Sequence, residues 1–144
     1  MNAMTSVNQE LPNNIEAEQQ VLGALLNDNS LAYKITGKLK AEQFYDPVHQ
    51  RIFANLIGRI NADKLASMVT LKEDMASDEG LAQLGGVGYL AKLAGHATAS
   101  FAIADYAQSV AEMKRRRELL EICDGVRARI NADESASVSV ADLE

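Results

Sequence analysis

The sequence predicts an all-α protein whose last helix is much the longest. Three observations carry that expectation. Apolar residues recur at three- and four-residue spacing in almost every segment, which is helical periodicity. Strand signal is nearly absent: Val138-Ser139-Val140 alternates but is too short to stand as a strand. From about Ser100 to Asn131 there is no proline and a single glycine, Gly125.

Residues 1–10 read as a flexible polar lead. Pro12, then Asn13 as an N-cap with Glu16 three residues on, predict a first helix from about Asn13. Ile15, Leu22, Leu25 and Leu26 form its apolar face, with Val21 at the edge, and Asn27-Asp28-Asn29-Ser30 closes it as a turn. Leu31, Ile35 and Leu39 predict a short second helix weakened at Gly37. Asp46-Pro47 sets an N-cap before a proline at the first helical position. The broad stripe Val48, Ile52, Phe53, Leu56, Ile57 and Ile60 follows it and predicts the central core helix. Thr70 with Glu73 suggests a second capping box, opening a helix that places Leu71 and Met75 inward and stops at Gly80. Residues 84–88 turn the chain into a helix bearing Tyr89, Leu90 and Leu93 that ends at Gly95.

The final helix, residues 99–131, would reach ~45 Å at ~1.5 Å per residue. That is more than a small head needs, so part of it is expected to project. Its apolar pattern also changes phase. Ile103, Tyr106, Val110, Met113 and Leu120 lie near one seam, interrupted at Arg117 and Asp124, and Leu119, Ile122, Val126 and Ile130 define a rotated stripe. Two partners explain this: the head for the first half, a second body for the rest. Residues 132–144 read as a turn and the start of a second arm that stops short, which suggests truncation.

Composition narrows the function. The chain has 144 residues and a net charge of −6, the wrong sign for a domain that grips a phosphate backbone. Six of its fourteen basic residues lie between Lys114 and Arg129. Within that window, acidic neighbours such as Glu118 and Glu121 favour a solvated face or an acidic protein partner over nucleic acid. One cysteine, Cys123, and two histidines, His49 and His96, leave no metal cage and no internal disulfide. No run is apolar enough for a membrane span and the first residues lack a signal peptide's pattern, so a soluble intracellular protein is expected.

Nothing in the motifs asks for an enzyme. Gly85-Gly86-Val87-Gly88 lacks the lysine and the preceding strand of a phosphate loop and reads as a positive-φ turn. Glu16 and Glu18 point to different sides of a first helical turn, where dipole and capping roles explain both. His49 reads as a surface or half-buried residue, and Cys123 has no positioned base. No catalytic, cofactor-binding or metal residue is assigned.

Leu11-Pro12, Ile15-Glu16-Ala17-Glu18-Gln19, Val21-Leu22-Gly23 and Leu25-Leu26 stand in order before Phe44-Tyr45, His49 and Ile52-Phe53. Val69-Thr70-Leu71, Leu84-Gly85-Gly86 with Tyr89-Leu90 and Leu93, and Tyr106-Ala107 with Val110 and Arg117-Glu118-Leu119 complete the series. In that order and spacing, over about residues 11–125, the chain resembles the N-terminal domain of the DnaB family of replicative helicases. One departure is Lys64-Leu65-Ala66-Ser67-Met68, where the family usually carries a proline and an aspartate.

The resemblance implies a head of about six helices, residues 11–98, followed by a long helix that begins a hairpin. It implies pairing of subunits into a trimer-of-dimers collar that docks primase and possibly a loader. It also implies that ATP, magnesium and DNA belong to a parent ring's motor, which unwinds DNA 5′ to 3′, and that the setting is the cytoplasm of a bacterial or phage-infected cell, near the nucleoid. On that basis Leu119, Ile122, Val126 and Ile130 are candidates for the intersubunit stripe, and Arg115, Arg116 and Arg127 for a partner-docking rim. Glu16, His49 and Tyr89 are expected to be structural. A free-standing, non-enzymatic adaptor of a helicase ring is the alternative.

Overall fold

A computed structural model describes residues 10–97 and 100–133. Among them are six α-helices and three 3₁₀ turns, with no strand. The helices are α1 (Ile15–Asn27), α2 (Pro47–Asn61), α3 (Met68–Asp74), α4 (Glu79–Leu84), α5 (Val87–His96) and α6 (Ile103–Asp133). The expected all-α class and the long last helix are both present.

Helix α1 lies at the centre, against α5 and α6 on one side and α2 on another. Its Val21, Leu22 and Leu25 meet Ile52 and Leu56 of α2, Leu90 and Leu93 of α5, and Ile103 and Val110 of α6 in one buried cluster. Each large apolar side chain so buried contributes about 1.5–3 kcal/mol. The close approach of α1 to α5 requires a glycine: a Cβ on Gly23 would stand 2.0 Å from the Leu93 carbonyl oxygen.

Several boundaries differ from the sequence expectation, each for a physical reason. The N-cap of α1 is Asn14, not Asn13: Asn14 Oδ1 accepts from the Ala17 amide at 3.0 Å. The choice between two adjacent asparagines is settled by a distant partner, since Asn14 Nδ2 also donates to Ser109 Oγ of α6 at 2.8 Å. The segment Asn29–Lys34 winds as a 3₁₀ turn rather than an α-helix, although Leu31, Ile35 and Leu39 are buried as their spacing demands. Helix α3 begins one turn early, with Ser67 as N-cap and Thr70 completing its capping box. It ends at Asp74, and Gly80, expected to stop it, sits inside α4, capped by Asp78.

The turn at Gly85 (φ 122) and Gly86 (φ 60) takes the positive backbone angles that glycine supplies without strain. The loop that departs from the family pattern is pinned from across the fold. The Asn29 side-chain amide donates to the Ala66 carbonyl at 2.8 Å and accepts from the Ala66 amide at 3.0 Å. Bidentate pairs add surface ties: Arg59 holds the Asp74 carboxyl down to about 2, and Arg51 does the same for Asp78.

Helix α6 continues through Asp133, so the turn expected from residue 132 does not begin there. Residues 1–9 of the expected lead, and residues 134–144 of the expected second arm, lie outside the described residues.

Candidate functional site

Two arrangements stand out: a buried polar cluster in the head and an exposed apolar stripe on α6.

The buried cluster joins residues the sequence kept apart. Glu18, placed by α1, and His49, placed in the first turn of α2, are almost fully enclosed. His49 Nδ1 lies 2.8 Å from Glu18 Oε1, and His49 Nε2 lies 2.6 Å from the Tyr89 hydroxyl of α5. The imidazole bridges the two oxygens, and which ring nitrogen donates follows from its tautomer. Glu18 also accepts from the Tyr45 amide at 2.7 Å and the Asp46 amide at 3.3 Å, and Gln19 Nε2 donates to the Tyr89 oxygen at 3.3 Å. Burial pushes the Tyr89 phenol above its ordinary range.

This corrects two expectations. His49 is neither at the surface nor half-buried, and Glu18, although in the first turn of α1, is enclosed with its carboxyl on His49 and the Tyr45 and Asp46 amides. The chain Glu18–His49–Tyr89 has the order of a proton relay, and its three side chains are buried. Grooves beside Ala104 and Gln108, beside Asn55 and Asp74, beside Met75 and Leu81, and beside Asn27 and Leu31 have other linings. Buried and hydrogen-bonded, the cluster ties α1, α2, α5 and the loop before α2 together. Of the three residues expected to be structural, His49 and Tyr89 are buried in this cluster, and Glu16 is exposed in the first turn of α1.

The second arrangement begins where α6 leaves the head. Ile103, Ala107 and Val110 are buried against α1, and Tyr106 packs beside them. Arg117 makes the last strong contact: its guanidinium donates to the Pro12 carbonyl at 2.8 Å and the Gln43 carbonyl at 2.9 Å, and lies 5.2 Å from the centre of the Tyr45 ring. Every residue from Glu118 to Ala132 is exposed.

In that exposed stretch Leu119 is 54% accessible, Ile122 62%, Val126 48% and Ile130 50%. Leu120, expected on the head-facing seam, is 42% accessible and belongs to the exposed half instead. At ~100° per residue, the stripe Leu119–Ile122–Val126–Ile130 centres ~140° around the helix from the seam Ile103–Ala107–Val110. The stripe therefore points away from the side by which the helix grips its own head.

Around it, Arg115, Arg116 and Arg127 are all exposed. Arg116 pairs with Glu112 at 3.4 Å, one turn back, rather than with the acidic residues that follow it. Exposed ion pairs of this kind contribute little to stability, about 0–1 kcal/mol. Cys123 is also exposed on this half.

Among the described residues no group of histidine, cysteine, aspartate and glutamate is arranged to hold a metal ion. No described helix is long and apolar enough to cross a membrane.

Comparison with known proteins places this architecture. The family model described as DnaB-like helicase N terminal domain matches residues 10–112. The chain is 31% identical over 139 residues to the replicative DNA helicase DnaB of Rickettsia prowazekii, covering 96% of this chain and 28% of that protein. It is 35% identical over 127 residues to the Treponema pallidum protein of the same name, covering 85% of this chain and 29% of that protein. The crystal structure of the N-terminal domain of DnaB helicase from Mycobacterium tuberculosis superposes with a TM-score of 0.76 at 27% identity, over 83% of this chain and 86% of that one. The chain thus spans little more than a quarter of the length of these curated relatives.

Proposed function

The chain belongs to the DnaB-like helicase N-terminal domain family, and from that premise we propose that it acts as the scaffold and docking domain of a replicative helicase. In this reading the chain does no chemistry of its own. ATP hydrolysis with magnesium, and 5′ to 3′ unwinding of DNA, belong to the motor of the parent ring. The domain, a head over residues 11–98 with the long helix after it, brings subunits together as dimers within the hexamer. It also offers a surface to primase or a loader. DNA meets it only through the ring, in the cytoplasm.

The observation that carries this reading is the exposed stripe of α6. Five large apolar side chains, Leu119, Leu120, Ile122, Val126 and Ile130, stand in solvent on one isolated helix half. A contiguous apolar surface of that kind marks a contact with another protein. A second copy is the partner that family membership supports, because a stripe repeated on each subunit is self-complementary about a two-fold axis. Arg115, Arg116 and Arg127 then form the polar rim on which an acidic partner surface docks.

The test is light scattering on the chain and on the double variant Ile122→Asp with Val126→Asp. The parent is expected to gain mass with concentration. The variant is expected to remain monomeric with helix content near that of the parent, since both side chains are already exposed. An unchanged oligomer mass removes the stripe from the subunit contact.

A further inference from the structure

We propose that Arg117 is a positioning residue: it fixes the direction in which the outer half of α6 leaves the head. The residue sits at the boundary between the packed and the unpacked parts of the helix. Its two hydrogen bonds go to backbone oxygens on two different segments, Pro12 before α1 and Gln43 before α2. Its third contact is the Tyr45 ring, 5.2 Å away. A planar guanidinium held at two donors and across one face has a single orientation; a point charge at the same place would not.

The anchor is itself fixed. The Tyr45 amide donates to Glu18, the Asp46 amide does the same, and Glu18 is held by His49 in the buried polar cluster. Arg117 therefore connects the base of the projecting helix to backbone next to the segment that Glu18 holds in place. Sixteen residues follow it in α6. At ~1.5 Å per residue they form an arm of ~24 Å, and a ~10° swing at the base would displace the tip by ~4 Å. A stripe that must register against another body cannot tolerate that displacement. This holds whether the stripe meets a second copy or a different partner.

The test measures the aim of the arm directly. Spin labels are placed at Gln83→Cys in α4 and Ala128→Cys in α6, both exposed, in a Cys123→Ser background. The labelled chain is diluted into unlabelled chain so that only distances within one molecule are read. The parent is expected to give one narrow distance distribution. Arg117→Gln is expected to widen it about twofold, and Arg117→Lys, which reaches one carbonyl at a time, to widen it less. Leu93→Ala serves as the control, because it weakens the head by an unrelated route and is expected to lower the unfolding midpoint without widening the distribution. If Arg117→Gln does not fold, Arg117→Lys alone decides. An unchanged distribution in the arginine variants overturns the assignment, and so does equal widening in Leu93→Ala.

Discussion

From Ile103 to Arg117 the long helix is a core element; from Glu118 to Ala132 it is a rod in solvent. The two halves share one unbroken helix, yet they are stabilised by different things. The first is held by burial against α1 and by the Asn14–Ser109 hydrogen bond. The second is exposed along its whole length. An isolated helix of about this length is marginal in water, so the outer half draws its persistence from continuity with the inner half and from whatever covers its stripe. The difference teaches how to read such a helix: a change in the direction of its apolar residues marks where it leaves the body it packs on.

The comparison can be broken hardest from the head side. Removing His49 leaves the Glu18 carboxylate enclosed without its ring partner. His49→Ala is expected to cost about 1–3 kcal/mol of head stability, the cost of leaving buried polar partners without their hydrogen bond. It should be read as a fall in the denaturant midpoint. A midpoint within error of the parent would show that the cluster is not a structural tie.

Two glycines sharpen the contrast. Gly23→Ala places a methyl group against the Leu93 backbone and is expected to destabilise the head by about 1–3 kcal/mol. Gly125 faces open space. Gly125→Ala is expected to stabilise the outer half locally by up to about 1 kcal/mol, through helix propensity alone. The first change should lower the global unfolding midpoint; the second should slow amide exchange near residue 125 and leave that midpoint in place. A destabilising Gly125→Ala would mean that the outer half is packed.

Much of this was legible in the sequence. The helices at Ile15, Pro47 and Val87 follow from caps, proline placement and the glycine turn, which are local signals. The rotation of the apolar pattern on α6 was visible because periodicity survives whatever packs against it. What escaped was set by distant partners. Asn14 rather than Asn13 caps α1 because Ser109 lies above it. Glu18 is enclosed because His49, thirty-one residues on, comes back to meet it. Arg117 broke the apolar seam on paper, and in three dimensions it is the residue that closes the seam onto the head. The signal available for Glu18 was its place between Ala17 and Val21, on the buried side of α1. The signal for Arg117 was an arginine in phase with Ile103 and Val110.

The central claim is that the outer half of α6 is half of an interface. The most direct measurement is amide hydrogen exchange at each residue over a wide range of protein concentration. If a second copy covers the stripe, exchange over residues 118–131 slows as concentration rises while the amides of α1 and α2 stay unchanged. If exchange over residues 118–131 is the same at every concentration, the stripe does not meet a second copy, and the proposed subunit contact is wrong.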